Sequence, residues 1–575
     1  MRKKWKNFRR VTHMGGVWIW NGSTLNQLHR VAEHQSRFTS PSASVAASHL
    51  RESAAQAANR TGAGVFGDSR ERVERYAVAN QRAIIYWPEY EVQAGELKRN
   101  KEELVYYGNL REHAGKCPSL PDPHKPGSLP GHIWLLNEGV CRLSVMTKTG
   151  LQMRLGKAGV RWLDNIGNGA GRPDSGESVY RFFRVAVFHL EVLELERVHL
   201  PARSLRDMAG LSPSASAMAG SGSLGSIAGA AAAPAGLGPE DPLYRRVART
   251  AVRALYALGL DLGEVVVALN DDGRTAVSSV IVPPPDARGG LWLAAAERFA
   301  AACAAAEEAA AAQGPLLIGA DPEFVLLRED GRIVSAARYL DPHGRIGCDA
   351  VPVGRRLHYP VAELRPAPET TPAALAASLQ HLLHQAAARI SGKGLRWLAG
   401  GMPVPGLALG GHIHLSGVPL TSLLLRALDS CVAFPLALVE SAGSRARRPR
   451  YGWLGDYRLQ PHGGFEYRTP PSWLISPAAA KAVFAFALLA ALEYRTLGCA
   501  TDSLPAAREE LVHAYYSGDR KMLAEGMEPF FERIAQTASY PSLAEWMEPL
   551  LRAIRRGEEW DESRDIRVKW RIPLR

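Results

Sequence analysis

Four short segments place acids, imidazoles or guanidiniums two residues apart, the spacing that puts side chains on one face of a β-strand. Asp321 and Glu323 flank Pro322; Glu363 and Arg365 flank Leu364; His412 and His414 flank Ile413; Glu466 and Arg468 flank Tyr467. The intervening and neighbouring residues are mostly apolar, so the reverse face of each strand suits a core. In one sheet these strands would form a floor of carboxylates, imidazoles and guanidiniums. Carboxylate oxygens are the natural ligands of Mg²⁺. Imidazole completes a Mg²⁺ or Mn²⁺ site, although it prefers softer metals. Guanidinium forks bind phosphate oxygens and neutralise charge during phosphoryl transfer. Singly, a Glu-x-Arg strand is usually a surface ion pair and a His-x-His strand a structural feature or a partial metal site. All four in one stretch are the parts needed to hold a nucleoside triphosphate with its metals.

The elements that must position them follow from local pattern. Leu316–Leu327 reads as a strand, a bend at Asp321-Pro322, and a second strand. Asp330-Gly331 is a hairpin turn and Arg332–Ala337 the return strand. The helical end, Ala506–Gly557, is expected to pack against this domain and is assigned no chemistry. The basic run Ser441–Arg450 is a candidate phosphate-covering loop, with an exposed loop of no function as the alternative.

The segments GADPEFVLL (319–327), GCDAVPVGRRLHYPVAELRPAP (347–368), GGHIHLSG (410–417) and RYGWLGDYRLQPHGGFEYRTPPSW (450–473) carry a resemblance over about 315–500. There the sequence resembles the glutamine synthetase and glutamate–cysteine ligase superfamily, above all its phage-type carboxylate–amine ligase branch, the amidoligases of type 2. The resemblance implies an α+β fold, a glutamine-synthetase-like antiparallel sheet with flanking helices. It implies a ligase that joins a carboxylate to an amine through an acyl phosphate, using ATP and Mg²⁺ or Mn²⁺. By the same resemblance Glu323, Glu363, His412 and Glu466 are metal ligands, and His414, Arg365 and Arg450 face nucleotide or phosphate. Arg468 contacts phosphate, Arg450 and Arg458 are further clamps on phosphate or substrate carboxylate, and Asp349 holds the attacking amine or a metal-bound water. The partners implied are small-molecule or peptide carboxylates and amines, with oligomerisation left open. Two other readings compete: a ligase fold that has lost turnover and serves as a scaffold, and a hydrolase using His412 and His414 on zinc.

In the N-terminal half, 246–285 resembles the last helix and hairpin of an ATP-grasp domain, and 178–188 a central strand of that fold. Ser278 or Ser279, together with Ile281, stands where an acid and an asparagine normally bind the metal. The resemblance therefore implies an α/β accessory domain, ATP-grasp-like but degenerate; an unrelated α/β domain is the alternative. Within it, Thr24–Ser36, Ser69–Arg82 and Arg245–Leu258 read as helices, Arg181–Leu195 as one or two strands, and Glu264–Val282 as a hairpin about Asp271-Asp272-Gly273. Gly167–Gly171 reads as a loop able to approach phosphate.

Composition sets the bounds. The 575 residues suggest two to four domains. Residues 1–208 and 239–285 form the accessory domain, 209–238 a flexible Ala/Gly/Ser-rich loop, 286–313 an Ala-rich helical connector and 314–575 the ligase domain. The net charge of +12 permits an anionic ligand, but the basic runs at Met1–Arg10 and near the C-terminus read as solvated tails, so no nucleic acid is expected. The six cysteines contain no Cys-x-x-Cys pair, which argues against a zinc ribbon or a disulfide framework. No signal peptide and no membrane span are expected, and the cytoplasm is the default location.

Overall fold

The computed structural model describes residues 15–20, 25–31, 83–88, 90–93, 132–135, 137, 143, 146–163, 180–198, 237–238, 240–282, 290–312, 316–353, 356–392, 394–448, 450–461, 463–498 and 504–574. Backbone proximity divides the chain into two units, Met1–Gly156 with Val160–Ala301, and Lys157–Gly159 with Ala302–Arg575. The expected helix Ser69–Arg82, the glycine loop Gly167–Gly171 and nearly all of the Ala/Gly/Ser-rich stretch lie outside the described residues.

The first unit holds two sheets. One has the order β2-β1-β3-β5, from β1 (Gly15–Trp20), β2 (Leu25–Val31), β3 (Ala83–Pro88) and β5 (His132–Leu135). The helix expected at Thr24–Ser36 is therefore corrected: Leu25–Val31 is a strand, antiparallel to β1. A ladder of cross-strand bonds outweighs the modest helical preference of Asn26, His29 and Val31. The other sheet has the order β4-β9-β8-β6-β7, with β4 (Tyr90–Gln93), β6 (Tyr180–Phe188), β7 (Glu191–Val198), β8 (Leu262–Asn270) and β9 (Thr275–Val282). Its hairpins and the helix Pro242–Ala257 stand where the sequence pattern puts them. Asp241 caps that helix by accepting from the Leu243 N–H at 2.7 Å. In β9, Ser278 is buried and donates its hydroxyl to the Val266 carbonyl, a use internal to the sheet.

The second unit is built on one eight-stranded antiparallel sheet. Its main path is β12-β13-β10-β15-β17-β16, with β11 and β14 also paired to β10. The strands are β10 (Leu317–Leu327), β11 (Ile333–Val334), β12 (Ile346–Val353), β13 (Arg356–Leu364), β14 (Arg396–Leu398), β15 (Gly411–Ser416), β16 (Tyr457–Leu459) and β17 (Phe465–Tyr467). Asp321-Pro322 does not bend β10, which runs unbroken; Pro322 pairs with Gly411, and the next N–H, of Glu323, bonds to the Gly410 carbonyl at 3.0 Å. The return strand after Asp330-Gly331 is only two residues long and passes into a short 3₁₀ turn at Ala336–Arg338. Behind the sheet, Phe324, Leu364, Ile413, Leu415, Phe465 and Tyr467 are buried, and Phe324 stacks on Trp397 with ring centroids 5.1 Å apart.

Helices cover that apolar side. Pro372–Arg389 and Pro477–Leu497 each begin with proline and are capped by Thr371 and Ser476, whose hydroxyls accept at 3.2 Å from Ala374 N–H and Ala479 N–H. Pro477–Leu497 is apolar around most of its circumference, as a central core helix must be. Two helical stretches, Ser422–Val439 and Pro477–Leu497, are long and apolar enough by length and composition to cross a membrane, and both are mostly buried inside the unit, as core helices are. The helices Glu509–Ser517, Arg520–Ile534 and Tyr540–Arg555 complete the layer. Cys303, Cys348 and Cys431 are buried free thiols.

Candidate active site

Register brings the four polar strand faces together. Glu323 on β10 lies opposite Glu363 on β13, Asp321 opposite His412 on β15, His414 opposite Glu466 on β17, and Glu466 opposite Arg458 on β16. Directly paired residues share a face of the sheet, so these side chains occupy one surface whose reverse is core.

The centre of that surface is a triad. His412 Nδ1 lies 3.1 Å from Asp321 Oδ1 and 3.2 Å from Glu466 Oε1, and the three residues offer ligand atoms all within 4.8 Å of one another. Among the described residues, Asp321 Oδ1, His412 Nδ1 and Glu466 Oε1 are buried yet take part in no aligned hydrogen bond. These atoms are ion-paired at close range without a well-aligned hydrogen bond, and three buried ligand atoms converging in this way could hold a cation. Two carboxylates and an imidazole suit Mg²⁺ or Mn²⁺.

Charge builds up strongly around the triad. Burial opposes ionisation of Asp321, but His412 and then His414 hold its carboxyl well below the usual carboxylate range. Burial likewise opposes a charge on His412, yet Asp321, with Glu323 beyond it, lifts the imidazole to about 9. Burial raises Glu323, against the pull of His412 and of the Gly410 N–H. Glu363 is pushed up to about 8, first by burial and then by the Asp321 charge, against the attraction of Arg365. A divalent ion held here would have to displace the His412 proton, and its charge would allow these acids to ionise together.

Each residue singled out by sequence has a definite place. Glu323 is buried and spends Oε2 on the Gly410 N–H at 2.6 Å. Glu363 is paired with Arg365, whose guanidinium also donates to the Pro342 and Gly344 carbonyls at 2.9 Å. Arg365 thus anchors the loop before β12. His414 Nε2 faces the other oxygen of Asp321 at 3.1 Å, outside the triad. Arg468 Nε lies 3.0 Å from Glu466 Oε1, and Arg458 Nη1 3.3 Å from Glu466 Oε2. Asp349 is exposed and accepts from the Ala350 N–H, although its charge still reaches Glu323. Arg450 is exposed.

The basic run around Ser441–Arg450 does not hang over the sheet as a loose loop. Arg447 is buried and donates to the Thr469 and Pro470 carbonyls at 3.0 and 2.8 Å. Arg448 is buried against Glu440 and stacks over the Tyr515 ring at 4.1 Å, and Arg445 donates to the Ser517 carbonyl. Three guanidiniums are used as struts.

Two participants escaped sequence reasoning. Spacing puts Asp321 on the polar face without assigning it a role, because only the register with β15 sets it against His412. Gln460 donates to Glu466 Oε2 at 3.0 Å, and an exposed-looking glutamine after β16 carries no signal of that. Behind the site, a π-helical turn at Asp429–Ala433 delivers a fully buried carboxylate, Asp429, to the Tyr467 hydroxyl at 2.7 Å and the Gly455 N–H at 3.1 Å. Burial, then Asp429, keeps the Tyr467 phenol protonated well above its ordinary range. The Trp473 indole N–H bonds to the Gly411 carbonyl at 2.8 Å, and the Ser472 hydroxyl to the Glu323 carbonyl at 2.6 Å, fixing β15 and β10 from the same side.

Residues 318–572 match the family described as phage phiEco32-like COOH.NH2 ligase-type 2. The matched segment spans the eight-stranded sheet and its helices, and it bears out the resemblance read from the four motifs. Among solved structures, the chain is similar to a bifunctional glutathione synthetase from Pasteurella multocida at 13% identity and a TM-score of 0.27, covering 44% of this chain and 48% of that one. The chain thus spans about half the length of that protein. A second similar structure is described as apo GmaS without ligand, at 13% identity and a TM-score of 0.23, covering 65% of this chain and 94% of that one. None of the curated proteins matches the chain.

Proposed function

We propose that the second unit is an ATP-dependent carboxylate–amine ligase, activating a carboxylate as an acyl phosphate and passing it to an amine. The observation that carries the reading is the convergence of the buried ligand atoms Asp321 Oδ1, His412 Nδ1 and Glu466 Oε1 in a domain that matches a carboxylate–amine ligase family. A divalent ion held there would supply charge neutralisation at the phosphate oxygens.

The chain's own residues do the rest of the work in this reading. Glu466 and Asp321 fix the position of the positive charge, and the sheet holds them without flexible loops. Arg468 and Arg458, at the solvent-facing side of Glu466, are the guanidiniums placed to receive anionic oxygens. Glu363 and Glu323, carboxyls held protonated by burial, stand next to the triad; once a divalent charge held there has ionised them, either can accept the proton that the amine must lose. Partial burial of the floor limits water, against which an acyl phosphate has to be protected. The acid and amine joined are small molecules or peptide ends.

The test is calorimetric titration of the full chain with ATP, with and without Mg²⁺, beside Glu466→Gln and Asp321→Asn. Nucleotide binding that needs Mg²⁺ and is lost in both variants supports the reading. Undiminished binding in both folded variants would place the nucleotide elsewhere and overturn it.

A further inference from the structure

Glu466 Oε1 is claimed from two sides. It lies 3.2 Å from His412 Nδ1 within the triad and 3.0 Å from Arg468 Nε outside it. The other oxygen, Oε2, is held by Gln460 at 3.0 Å and approached by Arg458 at 3.3 Å. The carboxylate is 1% exposed, so it cannot turn toward water to serve both claims, and Arg458, at 57% exposure, is much better screened than Arg468 at 29%. Arg468 Nε is itself buried and, among the described residues, unsatisfied in hydrogen-bond geometry despite its closeness to Oε1.

We propose that Arg468 couples cation binding to anion binding: a divalent ion taking Glu466 Oε1 displaces the guanidinium, which then becomes a ligand for a phosphate-type anion. The inference rests on the cation reading of the triad given above. A guanidinium and a divalent ion cannot share one poorly solvated oxygen without strong repulsion, because like charges a few ångströms apart are weakly screened in a partly buried site. Arg468 therefore competes with the cation while it stays on Oε1, and it favours the cation once an anion draws it away. The partly open side chain needs only a rotamer change to do so, since its backbone is fixed by the bond from Arg468 N–H to the Asp456 carbonyl at 2.8 Å. Linkage makes the effect reciprocal: the anion tightens the cation by the factor by which the cation tightens the anion. In this arrangement the cation and the phosphate-bearing substrate enter as cooperative partners, and neither fills the site well alone.

The measurement is calorimetric titration of the full chain with Mn²⁺, in the absence and presence of inorganic phosphate, which chelates the ion only weakly in solution. In the wild-type chain phosphate should tighten Mn²⁺ binding by about tenfold, within the usual range of coupling between sites. Arg468→Gln should bind Mn²⁺ alone several-fold more tightly than wild type, and lose most of the phosphate effect. Arg468→Lys, which keeps the charge, should resemble wild type in its weaker Mn²⁺ affinity. Equal Mn²⁺ affinity in wild type and Arg468→Gln, an undiminished phosphate effect in Arg468→Gln, or a Lys variant that behaves like the Gln variant overturns the coupling while leaving the cation site standing. No Mn²⁺ binding by the wild-type chain removes the cation site and the coupling together. Thermal melts of each variant confirm that the comparison is between folded proteins.

Discussion

His412 Nδ1 stands 3.1 Å from Asp321 Oδ1 across a register in which the two residues are directly paired. The pair is held by the β10–β15 ladder, so its geometry is set by backbone bonds and survives side-chain changes. Asp321→Asn keeps the shape and removes the charge. It should weaken divalent-ion affinity by more than the roughly 10–100-fold typical of losing a residue that only supports a ligand. Titration with Mn²⁺ checks this; an affinity within a factor of about three of wild type would remove Asp321 from the ligand set.

Glu363 gives a pH signature. Its carboxyl is raised from an ordinary 4.5 to about 8, with burial the leading cause. A group with a raised folded pKa binds its proton more tightly in the native chain than in the unfolded one. Its contribution to stability is full below 4.5 and is lost as pH rises to about 8. His412, raised from 6.5 to about 9, works in the same direction over a higher window. The melting temperature should therefore fall as pH rises through neutrality. Glu363→Gln should flatten that fall between 4.5 and about 8. Melting curves across the window decide it, and an equally steep slope in Glu363→Gln would show that another group is responsible.

The site shows what alternation can and cannot tell. Period-two spacing placed Glu363, His412 and Glu466 on polar strand faces, and the core residues behind them follow from the same rule. Asp321 and Glu323 share a face, however, and local sequence cannot say which of them meets the imidazole. That depends on register with β15, a non-local property: a slip of one residue would turn both acids to the other face, and a slip of two would set Glu323 where Asp321 stands. Here Asp321 meets His412 while Glu323 bonds to the Gly410 N–H. The arginines at 445, 447 and 448 misled for a similar reason. A basic run looks exposed until groups distant in sequence bury it, as the Thr469 and Pro470 carbonyls do for Arg447 and the Tyr515 ring, with the neighbouring Glu440, does for Arg448. In the first unit, pairing with β1 overrode a helical pattern at Leu25–Val31.

Gly411 tests how closely the strand must approach its support. A Cβ there would run into the Pro471 carbonyl oxygen and come within 2.6 Å of the Trp473 ring. Neither can give way easily: Trp473 is fully buried and its indole is bonded to Gly411 itself. Gly411→Ala should push β15, and His412 with it, away from this wall. The expected cost is about 1–3 kcal/mol of stability, the range for overpacking, together with a loss of divalent-ion affinity. A melt and a Mn²⁺ titration read the two effects separately. A variant that keeps both wild-type values would mean that β15 has slack.

Glu562 holds two segments together without touching the triad. Its buried carboxylate accepts from the Met402 N–H at 3.1 Å, the Ser441 N–H at 3.2 Å and the Ser444 hydroxyl at 2.5 Å. Added Cβ atoms at Gly400 and Gly401 would strike Glu562 and Ser444, so the segments are packed as well as bonded. Glu562→Ala leaves three donors without that acceptor, each worth about 1–3 kcal/mol if it stays unpaired. Part of this is recovered where water enters the space left behind. A net destabilisation of about 3 kcal/mol is expected, read as a lowered midpoint in chemical denaturation with little change in slope. Glu562→Gln keeps one acceptor oxygen and should recover roughly half of the loss. Because the carboxylate touches none of the triad, Mn²⁺ affinity in the folded variants should stay close to wild type. Loss of cation affinity without loss of stability would instead make Glu562 part of the site.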